Sequence, residues 1–135
     1  MPETLIKGIA RDFSEGKLER VAAAFAIPGV VHVGDKILSL ATENVMLDAL
    51  RAYRSNLMVE SYDHTDIEIE HRTDAPDGRV QLLVTWTNFN DRGAVISAVH
   101  AGYIWKQDPA GEWKIIGHEI LPPWKERLSQ GIPLM

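Results

Sequence analysis

Apolar residues recur with the spacing of helices along the first half of the chain and with the spacing of strands along the second. Leu5, Ile6, Ile9, Ala10 and Phe13 fall on one helical face, and Gly16 shortly afterwards marks a stop. Leu18, Val21, Ala22 and Phe25 make a second short stripe that ends before Pro28-Gly29. GVVHVGD, residues 29–35, is a β-branched run bounded by glycines and predicts a strand. Thr42 is suited to an N-cap and Glu43 to the positive end of a helix dipole. Met46, Leu47, Leu50, Tyr53, Leu57 and Met58 then form the inward stripe of a third helix.

From residue 62 the period drops to two. In YDHTDIEIEHR, Thr65, Ile67 and Ile69 lie on one side and Asp66, Glu68 and Glu70 on the other, the mark of a strand with one solvated face. RVQLLVTWTNFN and AVISAVHAGYIWKQ are long strand-like runs joined by Asp91-Arg92-Gly93. Asp108-Pro109-Ala110-Gly111 joins the second of them to EWKIIGHEI. Helices followed by an antiparallel meander predict an α+β architecture.

Composition narrows the function classes. A chain of 135 residues, 45% hydrophobic, suits one domain with its own core. Its net charge of -5 gives no basic footprint, so neither nucleic acid nor an anionic membrane is an expected partner. With no cysteine there is no thiol nucleophile, thiolate metal site or disulfide framework, which suits a reducing cytoplasm. The N-terminal MPETLIKGIARDF has no export-signal pattern and no stretch approaches a membrane span, so a cytoplasmic location is expected. There is no HxH, HExxH, G-x-S-x-G or glycine-rich phosphate motif, so no metal and no cofactor is expected.

The order of elements, with Phe25-Ala26 leading into the first strand and the terminal Gly111-Glu112-Trp113-Lys114-Ile115 motif, resembles the nuclear transport factor 2-like superfamily. That superfamily includes polyketide cyclase-like proteins, ketosteroid isomerase and scytalone dehydratase. The resemblance covers residues 3–121 and leaves 122–135 as a C-terminal tail. It implies a cystatin-like cone, with N-terminal helices in the concave side of a strongly curved, mostly antiparallel sheet. It also implies an apolar pocket for a small apolar ligand and a homodimer formed through the sheet. Ketosteroid isomerase-like members use an aspartate base, a tyrosine and a protonated acid. Anchored on Phe25-Ala26, those positions fall near Val33, Ile9 and Gly102, none of which can ionise. The resemblance thus leaves two classes open: a cofactor-free isomerase, cyclase or dehydratase for an apolar cyclic or polyketide-like substrate, or a non-catalytic ligand-binding or protein-interaction module.

Candidate site residues follow from the strand pattern. If the last hairpin sets Lys106 opposite Glu112, then Trp105 faces Trp113 and His100 faces His118, with Trp113 and Ile115 on the opposite face from His118. Two imidazoles on an apolar face can serve as acid and base near neutral pH; equally, they can be inert residues at a sheet rim or dimer interface. Further ligand-binding candidates are His32 and Asp35 in the first strand region, Tyr53 on the third helix, and Trp86 with Asn88 on one strand face. The tail, with Trp124 as its anchor, is expected to cover the pocket mouth or a partner subunit.

Overall fold

A computed structural model describes residues 1–33 and 35–121. The expectations for the tail and Trp124 lie outside the described residues. Three helices come first, interrupted by a short hairpin: α1 (Pro2–Ser14), α2 (Leu18–Ala23), β1 (Gly29–Val33), β2 (Lys36–Leu40) and α3 (Glu43–Met58). Four strands complete the described chain: β3 (Tyr62–Asp74), β4 (Val80–Asn90), β5 (Val95–Gln107) and β6 (Trp113–Leu121). The sheet order is β2-β1-β6-β5-β4-β3, antiparallel throughout except where β1 runs parallel to β6.

Local chemistry explains where the helices begin and end. Pro2 opens α1, where a missing N–H costs nothing. At the other end Gly16, at φ 78°, lets its own N–H reach Phe13 O and the Lys17 N–H reach Asp12 O, which reverses the chain and satisfies two terminal carbonyls. Arg54 of α3 then binds Phe13 O and Ser14 O at 3.0 and 2.9 Å, tying the two helices together. Thr42 caps α3 as the sequence predicts, its hydroxyl accepting the Val45 N–H. Two stripe members, Leu5 and Met58, lie at the edge of their faces and are exposed.

The helices lie on one face of the sheet and the core fills the space between them. Ile6, Ile9, Phe13, Met46, Leu50 and Leu57 come from the helices. Val31, Val33, Leu82, Val84, Tyr103 and Ile120 meet them from the inner sheet face. The acidic row Asp66, Glu68 and Glu70 stands on the exposed outer face, as its alternation predicts. Strand β2 is not apparent in the sequence pattern. KILSL is mostly exposed, and its place is set by pairing with β1 rather than by a buried stripe.

The final hairpin departs from the expected register in two steps. Asp108 closes the loop, with its N–H bonded to Glu112 O and its carboxylate accepting from the Ala110 and Glu112 N–H groups. Lys106 therefore faces Lys114, and Trp105 faces Ile115 rather than Trp113. An irregularity follows between Ile104 and Trp105, where β6 carries Ile116 as an extra residue. Because side chains alternate with period two, one extra residue exchanges the faces of everything beyond it. Ile115 and His118 consequently share the buried face, whereas simple alternation would separate them.

Candidate functional site

The bulge decides which histidine is inside. His118 lies opposite Tyr103 on β5 and beside Val31 on β1, and only 3% of its surface is exposed. Its ring stacks on Tyr103 with centroids 4.4 Å apart and touches Phe25 at 5.9 Å. Tyr103 stands edge-on to Trp86, and the Trp86 indole N–H donates to the Tyr103 hydroxyl at 2.9 Å. Neither His118 nitrogen has a hydrogen-bond partner.

Burial governs the electrostatics. With no charge or donor to offset desolvation, the His118 pKa is pushed down to about 3, so the ring is neutral at physiological pH. Burial likewise drives the Tyr103 phenol well above its ordinary value, only partly opposed by the Trp86 hydrogen bond. The arrangement offers an apolar molecule one imidazole N–H, one imidazole lone pair and an adjacent neutral phenol. A narrow crevice of about 10 Å³, lined by Phe25, Val30, Leu40, Ile116 and His118 among others, opens beside the ring.

The other predicted residues divide among three places. Tyr53, Trp86 and Asn88 are buried on the inner side, with their polar groups engaged within the protein. Asn88 accepts from the Thr65 hydroxyl at 2.6 Å and donates to the Tyr53 hydroxyl at 3.1 Å and Ser97 Oγ at 3.0 Å. Thr65 in turn meets the Tyr62 hydroxyl at 2.6 Å, so the amide is the hub of a network joining α3, β3, β4 and β5. His32 and Asp35 are exposed. His32 alternates with the buried Val31 and Val33 and pairs in register with Ile37 and Glu119, away from His118.

His100 is on the outer face, opposite Leu121, so the expected pairing of His100 with His118 does not form. Its Nδ1 lies 2.8 Å from the Thr85 hydroxyl, which donates to Glu70 at 2.5 Å. Among the described residues no three His, Asp or Glu side chains converge as a metal site, and no helix is long and apolar enough to cross a membrane.

The model of the family described as NTF2-like protein (DUF6841) matches residues 2–122. The chain belongs to this NTF2-like family. Solved structures with the same fold include Aln2 from a Streptomyces species, at 14% identity, TM-score 0.67, covering 88% of this chain and 86% of that one. ActVI-ORFA from Streptomyces coelicolor aligns at 9% identity and TM-score 0.68, over 87% and 89% of the two chains. A ketosteroid isomerase-like protein from Erwinia carotovora atroseptica aligns at 13% identity and TM-score 0.63, over 90% and 94%. At such identities the likeness speaks to the fold. A search of curated proteins found no match.

Within this NTF2-like chain, Val33 and Ile9 are buried apolar side chains, and a Cβ on Gly102 would point at Leu83 on the outer face, 3.3 Å away. The inward ionisable groups of the last two strands are Tyr103 and His118. Sequence reasoning missed Tyr103, although it alternates with the buried Val99, Ala101 and Trp105 and was open to recognition on that ground. It also missed Thr65 and Ser97 as polar partners of Asn88. Their only signal is a small hydroxyl on an otherwise apolar face.

Proposed function

We propose that this NTF2-like protein binds a small apolar molecule carrying a polar oxygen, and that His118 is the residue that receives that oxygen. The observation that carries the reading is the buried, neutral imidazole with both nitrogens unpaired. A buried polar group without a partner costs about 1–3 kcal/mol, and a ligand carbonyl or hydroxyl removes that penalty on binding. The enzymatic form of the proposal is a cofactor-free isomerase, cyclase or dehydratase acting on an apolar cyclic or polyketide-like substrate. In it the His118 N–H polarises a substrate carbonyl and the Tyr103 hydroxyl is a second proton donor, an arrangement suited to a neutral imidazole. The name of the ketosteroid isomerase-like structural neighbour is in keeping with that class.

A second reading, a non-catalytic binding module, is favoured by two observations. An imidazole whose pKa is about 3 is a weak base, and the crevice of about 10 Å³ is the size of a single water, so a larger ligand must displace side chains to enter. Homodimerisation through the outer sheet face belongs to the proposal in either form. Supporting it, Leu83, Ile96 and Ile104 are only half-buried there and Ile116 is exposed. His100 would then sit within that interface.

One experiment separates the readings. Nitrogen-15 NMR of the histidine rings is followed while a β,γ-unsaturated cyclic ketone is titrated in, and conversion to the conjugated isomer is monitored by absorbance. Perturbation of the His118 ring together with turnover lost in His118→Phe supports the enzyme; perturbation without turnover supports the binding module. An unmoved His118 ring with every ketone tested rejects both.

A further inference from the structure

A second concavity lies away from His118 and shares none of its lining residues. It is a groove of about 670 Å³ between α1, the end of α2 and the tip of the β5–β6 hairpin. Sites for drug-sized molecules have volumes of about 300–1,000 Å³. Leu5, Ile9 and Trp113 supply apolar wall and Trp105 lies at its base, while Arg11, Arg20 and Lys114 face Asp12 and Glu112 around it. Its far side is held rigidly: the Ala26 N–H binds Ile115 O, the Ile115 N–H binds Ala24 O, and Lys114 Nζ binds Ala23 O at 2.6 Å.

Two polar atoms on residues that line this groove are buried and have no hydrogen-bond partner. One is the indole Nε1 of Trp105, a residue with 0% exposure; the other is Oδ1 of Asp12. The nearest cation to that oxygen, the Arg20 guanidinium, stands 3.8 Å away, beyond hydrogen-bonding reach. Native interiors rarely leave such atoms unpaired, and here one is a donor and the other an acceptor. Loose opposite charges on the rim favour a neutral molecule over an ion.

We infer that this groove is a second small-molecule site. Its ligand is a planar, neutral, largely apolar compound whose carbonyl oxygen accepts from Trp105 Nε1 and whose hydroxyl or amide N–H donates to Asp12 Oδ1. Apolar wall at Leu5, Ile9 and Trp113 takes the body of the molecule. The inference stands independently of the proposal for His118.

The test uses the full chain and 4-hydroxyacetophenone as the probe, with acetophenone and 4-ethylphenol as single-function controls. Indole N–H resonances are recorded by proton–nitrogen NMR, and that of Trp105 is assigned by its loss in Trp105→Phe. The expected result is a saturable downfield shift of the Trp105 resonance, with the probe binding about fivefold or more tighter than either control. Asp12→Ala should weaken the probe about fivefold and bring its affinity to that of acetophenone. The inference is overturned if the Trp105 resonance does not move at millimolar probe. Equal binding of all three compounds, or unchanged affinity in the folded Asp12→Ala protein, also overturns it. Because the His118 ring is read separately, failure here leaves the His118 proposal untouched, and the reverse also holds.

Discussion

If His118 is a buried imidazole held neutral, replacing it should change how stability depends on pH more than it changes stability at neutral pH. In the unfolded chain a histidine titrates near 6.5, whereas in the fold burial holds His118 down to about 3. Between those values the unfolded state binds a proton that the native state refuses. Stability from this residue is therefore intact above about pH 6.5 and is lost progressively as the pH falls toward 3. At about 1.4 kcal/mol per pH unit, lowering the pH from 7 to 5 costs the native protein about 2 kcal/mol through this one group. His118→Phe keeps a flat ring against Tyr103 and removes both unpaired nitrogens. It should match or exceed native stability at pH 7 by about 1 kcal/mol and lack the acid loss. Urea unfolding of both proteins at pH 7 and pH 5 measures the double difference, in which His32, His64, His71 and His100 cancel. The expected gap of about 2 kcal/mol corresponds to a midpoint difference of roughly 1 M urea. Parallel pH dependence in the two proteins would refute the reasoning, because it would mean that His118 titrates in the fold as it does in the unfolded chain.

Other consequences are open to measurement. Asn88→Leu strands the hydroxyls of Thr65 and Ser97 and should cost about 2–4 kcal/mol by denaturant unfolding; a loss below about 1 kcal/mol would show that the network is dispensable. Arg54→Met uncovers the Phe13 and Ser14 carbonyls at the end of α1 and should cost about 1–2 kcal/mol, and unchanged stability would contradict that tie. Gly16→Ala, which forces a side chain into a positive-φ position, should cost about 1 kcal/mol, and a neutral or stabilising result would speak against the left-handed turn there.

Much of the scaffold was legible in the chain because helices and hairpins carry local signals. The stripe from Ile6 to Phe13, the Thr42 cap and the alternation of Thr65, Ile67 and Ile69 each specify an element without reference to distant residues. The inward positions of Tyr53, Trp86 and Asn88 were legible for the same reason. What could not be read was the pairing of β6, which depends on where Asp108 closes the loop and on the extra residue at Ile116. Gly117 was the one local hint, since a strand glycine often marks a bulge or a close approach, and a Cβ there would press Ile104 at 3.2 Å. The candidate pair failed for that reason: His100 and His118 were placed by counting, and counting is blind to a residue that takes no partner. The groove at Trp105 left no trace either, because Asp12 and Trp105 lie 93 positions apart in the numbering and meet only when α1 is laid against the hairpin tip.

The extra residue in β6 also bears on how members of this family are to be compared. An alignment that runs through the last strand without a gap will match backbones well while interchanging inward and outward positions on one side of Ile116. A relative that carries tyrosine or aspartate one place away from His118 can therefore present it to the interior at the same point in space, and one that conserves a histidine at 118 can present it to solvent. In this chain the interior chemistry of the last strand is set by position in the pleat, and a single insertion or deletion there would exchange it without altering any residue type.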